Sequence, residues 1–175
     1  MADHVYPINA SVHAAAEPMP ARPAIAQESL VPMVDRQLGA CRRSGSCLAL
    51  LSISVDNIET VRQRHGAAFE DKILHSIWSR LRGRLRASDI AVHADQGDFA
   101  AILLDASGMA ASVVDARLTA ALCEPYCIDE LEIGLSVQTG FAVYPQSGET
   151  GEELVKAATR AKNRGTHGGV DSRRA

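Results

Sequence analysis

Ile90-Ala-Val-His-Ala-Asp-Gln-Gly-Asp-Phe-Ala-Ala-Ile-Leu-Leu104 is the stretch that decides the fold. Two apolar runs, Ile90 to His93 and Ala100 to Leu104, flank the polar segment Asp95-Gln96-Gly97-Asp98-Phe99. Strand-length runs separated by a short glycine-containing turn read as a β-hairpin. Gln96-Gly97 supplies the residue that accepts a positive φ if the turn demands one. A turn at the rim of a sheet is also a place where chemistry is carried.

Working outward, Cys47 to Val55 is near-continuously apolar and of strand length, which predicts a buried central strand. Before it, Leu30, Met33, Val34, Leu38 and Cys41 recur at helical spacing over Ser29 to Arg43, ended by Ser44-Gly45. After it, Asp56 to His65 reads as a short helix closed by Gly66. Phe69, Ile73, Leu74, Ile77, Trp78 and Leu81 predict a longer amphipathic helix. Beyond the hairpin, Met109 to Leu122 has helical periodicity. Leu131 to Tyr144 alternates as one strand with a bend at Gly140, and a last helix starts at Thr150 or Gly151.

This order, a helix followed by β-α-α-β-β-α-β-α, predicts an α+β fold with a central, mostly antiparallel sheet packed by helices. The Ala/Pro-rich residues 1–27 are expected to be a disordered leader. Residues 28–165 form the domain, and residues 166–175 a flexible tail.

The chain has 175 residues, enough for one domain with a proper core. With 46% hydrophobic and only 4% aromatic residues, that core is built from Ala, Leu, Val and Ile. A formal net charge of −3 argues against nucleic-acid binding by bulk electrostatics. No segment approaches the roughly 20 apolar residues of a membrane span, and no secretory signal pattern opens the chain. A cytoplasmic location is the expectation. Cys41, Cys47, Cys123 and Cys127 lack zinc-type spacing and are expected to be reduced, so no metal site is read from them.

Leu48-Ala-Leu-Leu-Ser-Ile-Ser-Val-Asp-Asn-Ile, Arg84-Leu-Arg-Ala-Ser-Asp-Ile, the Asp-Gln-Gly-Asp-Phe turn and Gly140-Phe-Ala-Val-Tyr-Pro together resemble a GGDEF domain. The resemblance covers residues 30–165 in unbroken order. The family's entry motif, Asp-x-Leu-Thr-Gly-Leu-x-Asn-Arg, is missing, and the last helix looks one turn short. The resemblance implies a palm-like fold and descent from diguanylate cyclases, which condense two GTP into cyclic di-GMP.

Carried over residue by residue, most of the catalytic residues that the resemblance implies do not survive. The Mg²⁺-binding carboxylates correspond to Ser54 and Gly97, and neither a hydroxyl nor a hydrogen replaces an anionic oxygen ligand. Asp56 and Asp98 lie nearby, but strand alternation sends Asp98 away from the face of residue 97. The signature glycines are Asp95 and Gln96. A phosphate-side lysine corresponds to Glu59 and a guanine-reading asparagine to Arg62. Asp71 matches the guanine-reading aspartate and Lys162 the late-helix lysine that touches phosphate. Asp56, Asp71 and Lys162 are thus vestigial substrate-site positions, with ordinary surface charge as the competing account for Asp71 and Lys162. No cofactor is expected, and Mg²⁺ only if residual cyclase activity exists.

A second constellation is better preserved. Arg86-Ala87-Ser88-Asp89 matches the Arg-x-x-Asp inhibitory site at its usual offset before the turn, and Arg117 corresponds to the helper arginine on the following helix. Guanidinium groups can grip phosphate or the Hoogsteen edge of guanine, and a carboxylate can accept from guanine N–H groups. The competing account is an arginine-rich helix end, Arg80 to Arg86, with an exposed Arg86–Asp89 ion pair worth about 0–1 kcal/mol.

The leading expectation is a catalytically inactive sensor that binds cyclic di-GMP through Arg86, Asp89 and Arg117. The alternatives are an interaction module that pairs with another signalling protein without nucleotide, and a residual diguanylate cyclase. A dimer linked by the ligand is a further expectation from the resemblance.

Overall fold

The computed structural model describes residues 27–95 and 97–165. The expected leader, apart from Gln27, and the expected tail lie outside the described residues. Helix α1 (Gln27–Ser44) leads into β1 (Leu48–Val55), α2 (Ile58–His65) and α3 (Ala67–Arg82). The hairpin β2 (Ile90–Asp95) and β3 (Asp98–Leu104) follows, then α4 (Gly108–Leu122). A short ribbon, β4 (Tyr126–Ile128) and β5 (Leu131–Ile133), precedes β6 (Val137–Tyr144) and α5 (Gly151–Gly165). The main sheet has the order β2-β3-β1-β6, with every neighbouring pair antiparallel. The α+β expectation holds.

β1 is central and loses both faces to the core, which is why its sequence is apolar throughout. Ala49, Leu51, Ile53 and Val55 pack with Ile58, Phe69, Ile73, Ile77, Leu118 and Leu122 of α2, α3 and α4. Leu48 and Leu50 turn the other way, onto Leu30, Val34 and Leu38 of α1 and Leu154 and Ala158 of α5. Truncating one of these fully buried leucines to alanine costs about 2–5 kcal/mol.

The single strand expected over Leu131 to Tyr144 is instead two strands in separate sheets. β5 pairs with β4, Tyr126 opposite Ile133, while β6 pairs with β1, Ser54 opposite Gln138. The ribbon turns through Asp129 and Glu130, both left-handed at φ 49° and 66°, and Lys72 of α3 pins it with Nζ 2.6 Å from Asp129 Oδ2. Two consecutive residues in that conformation suit a two-residue hairpin turn. Alternation continues across residues 131–144, so the pattern hides the change of sheet.

Gly140 does not bend the chain. It lies mid-strand in β6, where a Cβ would stand 2.0 Å from the backbone nitrogen of Lys162 in α5. The helix therefore rests on the strand at backbone contact, and only glycine fits. At the other end of α5, Asp35 of α1 accepts the Gly151 N–H at 2.7 Å, and a Cβ on Gly151 would meet Val31 O at 2.7 Å. Thr150 and Glu153 complete a capping box: Thr150 Oγ1 accepts Glu153 N–H and Glu153 Oε2 accepts Thr150 N–H, each at 3.2 Å, and Oε2 also accepts Glu149 N–H at 2.8 Å. The backbone N–H of Glu149 leads the bonds that hold the Glu153 carboxyl below its usual range.

The arginine-rich run after α3 is not a uniform helix end, because the helix stops at Arg82. Arg80 donates to Ala121 O and Pro125 O at 3.1 and 3.0 Å, and its guanidinium lies 3.8 Å above the Tyr126 ring. It thereby satisfies carbonyls at the C-terminal end of α4 and joins α3 to β4. No helix among the described residues is long and apolar enough to cross a membrane.

Gly140→Ala is expected to lower unfolding stability by about 3 kcal/mol in urea titration, through overpacking against α5. A second expectation concerns pH. Burial pushes the Asp115 carboxyl up, a hydrogen bond with Thr139 pulls it back, and Asp115 Oδ1 is buried without a partner. An acid whose pKa is raised by folding binds its proton more tightly in the folded state, so stability falls as pH rises through that window. Asp115→Asn should melt above the parent at pH 7, and the two melting temperatures should converge below about pH 4.

Candidate functional site

At the rim of the sheet, Ser54 of β1 stands opposite Asp98 of β3 on one side and Gln138 of β6 on the other. Strand parity places these three residues on the face covered by α5. Asp98 there meets Lys162 Nζ at 3.4 Å. Lys162 is only 8% exposed, so it is not an ordinary surface charge as the competing account had it. Its burial follows from the contact at Gly140, which brings the backbone of α5 down at residue 162 itself. Asp56, just past β1, accepts from Gln138 Nε2 at 2.8 Å.

The turn closes onto β1. Val55 N–H donates to Gly97 O at 2.8 Å, and a Cβ at residue 97 would lie 2.6 Å from Val55 O and 3.1 Å from Ile58 Cγ1. The requirement is steric: the backbone of β1 occupies the side-chain position. Asp95 pairs with Asp98, with a register irregularity after His93. Gln96 lies outside the described residues.

These groups do not fit the divalent cation that cyclase chemistry requires. Hard cations need several oxygen ligands, carboxylates foremost. Ser54 brings a hydroxyl, Gly97 no side chain, and the neighbouring Asp56 and Asp98 are engaged by Gln138 and Lys162. Among the described residues no cluster of three or more His, Cys, Asp or Glu side chains has metal-holding geometry.

On the opposite face, Arg62 of α2 lies 3.7 Å from Glu70 and 3.9 Å from Glu59. Glu70 is only 3% exposed, while Asp71 beside it is exposed on α3. The Arg62–Glu70 pair was not read from sequence. Its signal was the helical period, because residue 70 shares the apolar stripe of Ile73, Leu74 and Ile77.

Arg86 and Asp89 share the link between α3 and β2, and Arg117 reaches that link from α4 at the Arg84 carbonyl. Asp89 is 7% exposed, and its Oδ2 accepts the backbone N–H of Arg86 at 3.0 Å. Asp89 N–H returns a bond to Arg86 O at 3.1 Å, and Arg82 Nη1 donates to Asp89 O at 3.2 Å. The carboxylate thus ties the turn through the backbone of Arg86. Arg117 reaches across from α4, Nη2 donating to Arg84 O at 2.7 Å. Arg84, Arg86 and Arg117 are all exposed, so a basic surface spans the turn and the helix.

Residues 27–170 match the family model described as "Diguanylate cyclase, GGDEF domain". Diguanylate cyclase TpbB of Pseudomonas aeruginosa is 32% identical over 116 residues, which cover 65% of this chain and 27% of TpbB. Cyclic di-GMP phosphodiesterase NbdA of the same organism is 27% identical over 123 residues, 70% of this chain and 16% of NbdA. The chain thus spans well under a third of either relative. Among solved structures, the GGDEF domain of TpbB superposes with a TM-score of 0.73 at 28% identity, covering 82% of this chain and 88% of that one. The GGDEF domain of DgcB from Caulobacter crescentus, solved in complex with c-di-GMP, has the same fold with a TM-score of 0.73 at 14% identity, covering 85% and 94%. By the extent of the family match and the shared fold, this chain belongs to the diguanylate cyclase GGDEF domain family.

Proposed function

We propose that this domain is a catalytically silent GGDEF module that senses cyclic di-GMP at the turn between α3 and β2. Arg86 and Arg117 are the gripping groups. Asp89, held by the Arg86 amide, sets the turn that presents them. The observation that carries the reading is the bond from Arg117 to Arg84 O, which brings an arginine of α4 onto the segment bearing Arg86. Two exposed guanidinium groups suit a dianionic ligand with two guanine bases, because each can make paired charge-assisted hydrogen bonds.

The active-site side of the domain supports silence. Ser54 and Gly97 stand where carboxylates are needed, and the hairpin closes on Val55. Lys162 is engaged by Asp98, and Arg62 by buried Glu70. Phosphate and guanine would have to displace internal ion pairs at both positions.

Calorimetry with cyclic di-GMP and with GTP and Mg²⁺ tests the proposal. Cyclic di-GMP should bind the parent, Arg86→Ala should abolish the heat, and Arg117→Ala should weaken binding at least tenfold, about 1.5–3 kcal/mol. Thermal melts of both variants control for the lost bond to Arg84 O. GTP with Mg²⁺ should give no product. Product formation, or dinucleotide binding untouched by both arginine changes, would overturn the reading. In the same reading the ligand links two domains, so its addition should shift the elution volume in size-exclusion chromatography.

A further inference from the structure

α4 has an apolar outer face as well as an apolar inner one. Ala111, Leu118, Ala121 and Leu122 enter the core, yet Met109 is 82% exposed and Val113 63% exposed. Leu131 is the only other large apolar side chain exposed among the described residues. Met109 and Val113 are followed on the same side by exposed Ala116 and Ala120. Positions 109, 113, 116 and 120 step by four, three and four residues, which keeps them on a single seam along the helix. A helix apolar on all sides is normally buried on all sides.

The one fully exposed charge that α4 itself carries is positive. The only acid of α4, Asp115, is half-buried and bonded to Thr139. The only base, Arg117, is exposed and fastened to the turn that carries Arg84 and Arg86, both exposed. A second copy of the chain fits the seam by size, since an antiparallel pairing sets Met109 against Ala120 and Val113 against Ala116. It fails by charge. The same pairing offsets the two Arg117 side chains by only about 7.5 Å along the axis, like charges at a largely desolvated seam. An anionic membrane is also a poor occupant, because the patch holds two large apolar side chains and no aromatic anchor.

We propose that the outer face of α4 docks an amphipathic helix of another protein, one whose apolar seam is flanked by carboxylates. The partner's large side chains sit over Ala116 and Ala120, beside Met109 and Val113, and its acids face Arg117, Arg84 and Arg86. The apolar seam lies apart from the proposed dinucleotide site, but Arg86 and Arg117 beside it are shared with that site, so the acidic helix and cyclic di-GMP compete for them.

The test uses the whole chain and two labelled designed helical peptides with the same leucine seam, one flanked by glutamates and one by lysines. Fluorescence anisotropy should show binding of the glutamate peptide, weakened at least tenfold between 50 mM and 500 mM salt as screening grows. The lysine peptide should bind at least tenfold more weakly. Val113→Asp, an exposed change checked by thermal melt, should cut binding at least tenfold, and Met109→Gln should weaken it without adding charge. Met109→Gln, which puts no charge beside Arg117, should leave the calorimetric response to cyclic di-GMP unchanged. No binding of either peptide, equal binding of both, a self-association abolished by Val113→Asp, or co-sedimentation with anionic vesicles would each overturn the proposal.

Discussion

A missing Cβ at residue 140 governs how this domain is put together. In the middle of β6, the backbone of α5 comes so close that a methyl group would sit 2.0 Å from the Lys162 nitrogen. Contact at that distance fixes the height and rotation of the last helix over the sheet, because the backbone cannot yield as a side chain would. α5 then closes the second core layer with α1 over Leu48 and Leu50, helped by Asp35 at its N-terminus. Its position also delivers Lys162 to Asp98, so the pairing at the sheet rim follows from a packing constraint in a neighbouring strand.

The rim and the α3–β2 turn show two different fates for polar groups in one domain. At the rim they satisfy each other, Lys162 with Asp98 and Asp56 with Gln138, and on the opposite face Arg62 pairs with Glu70. A buried charge without a partner is strongly unfavourable, so pairs of this kind hold the surface closed. At the turn, the Asp89 carboxylate holds the Arg86 backbone and Arg117 donates to Arg84 O, while Arg84, Arg86 and Arg117 all remain exposed. The capacity for new electrostatic contacts lies on that side of the molecule, next to the uncovered seam of α4.

Much of the fold was legible because local patterns and tertiary demands agreed. β1 reads as central since burial on two faces requires an unbroken apolar run, and the 90–104 hairpin reads correctly since its turn interrupts two such runs. Leu131 to Tyr144 was misread for the opposite reason. Alternation has the same period in an isolated ribbon as in a main sheet, so nothing local marks the point where the chain leaves one and joins the other. Gly140 reads as a bend and is instead a point of backbone contact with α5, since backbone freedom and steric exclusion leave the same residue in a sequence.

The sequence by itself determined the α+β architecture and the family, because both depend on residue type and spacing alone. Tertiary structure alone decided that Lys162 is buried against Asp98, that Glu70 takes up Arg62, that Asp89 secures the backbone of Arg86, and that Arg117 reaches the α3–β2 turn. Asp98 and Lys162 are 64 positions apart, and Arg84 and Arg117 are 33 apart. Whether such groups meet is set by how helices seat on a sheet, and that seating rests on backbone contacts which no side-chain pattern records.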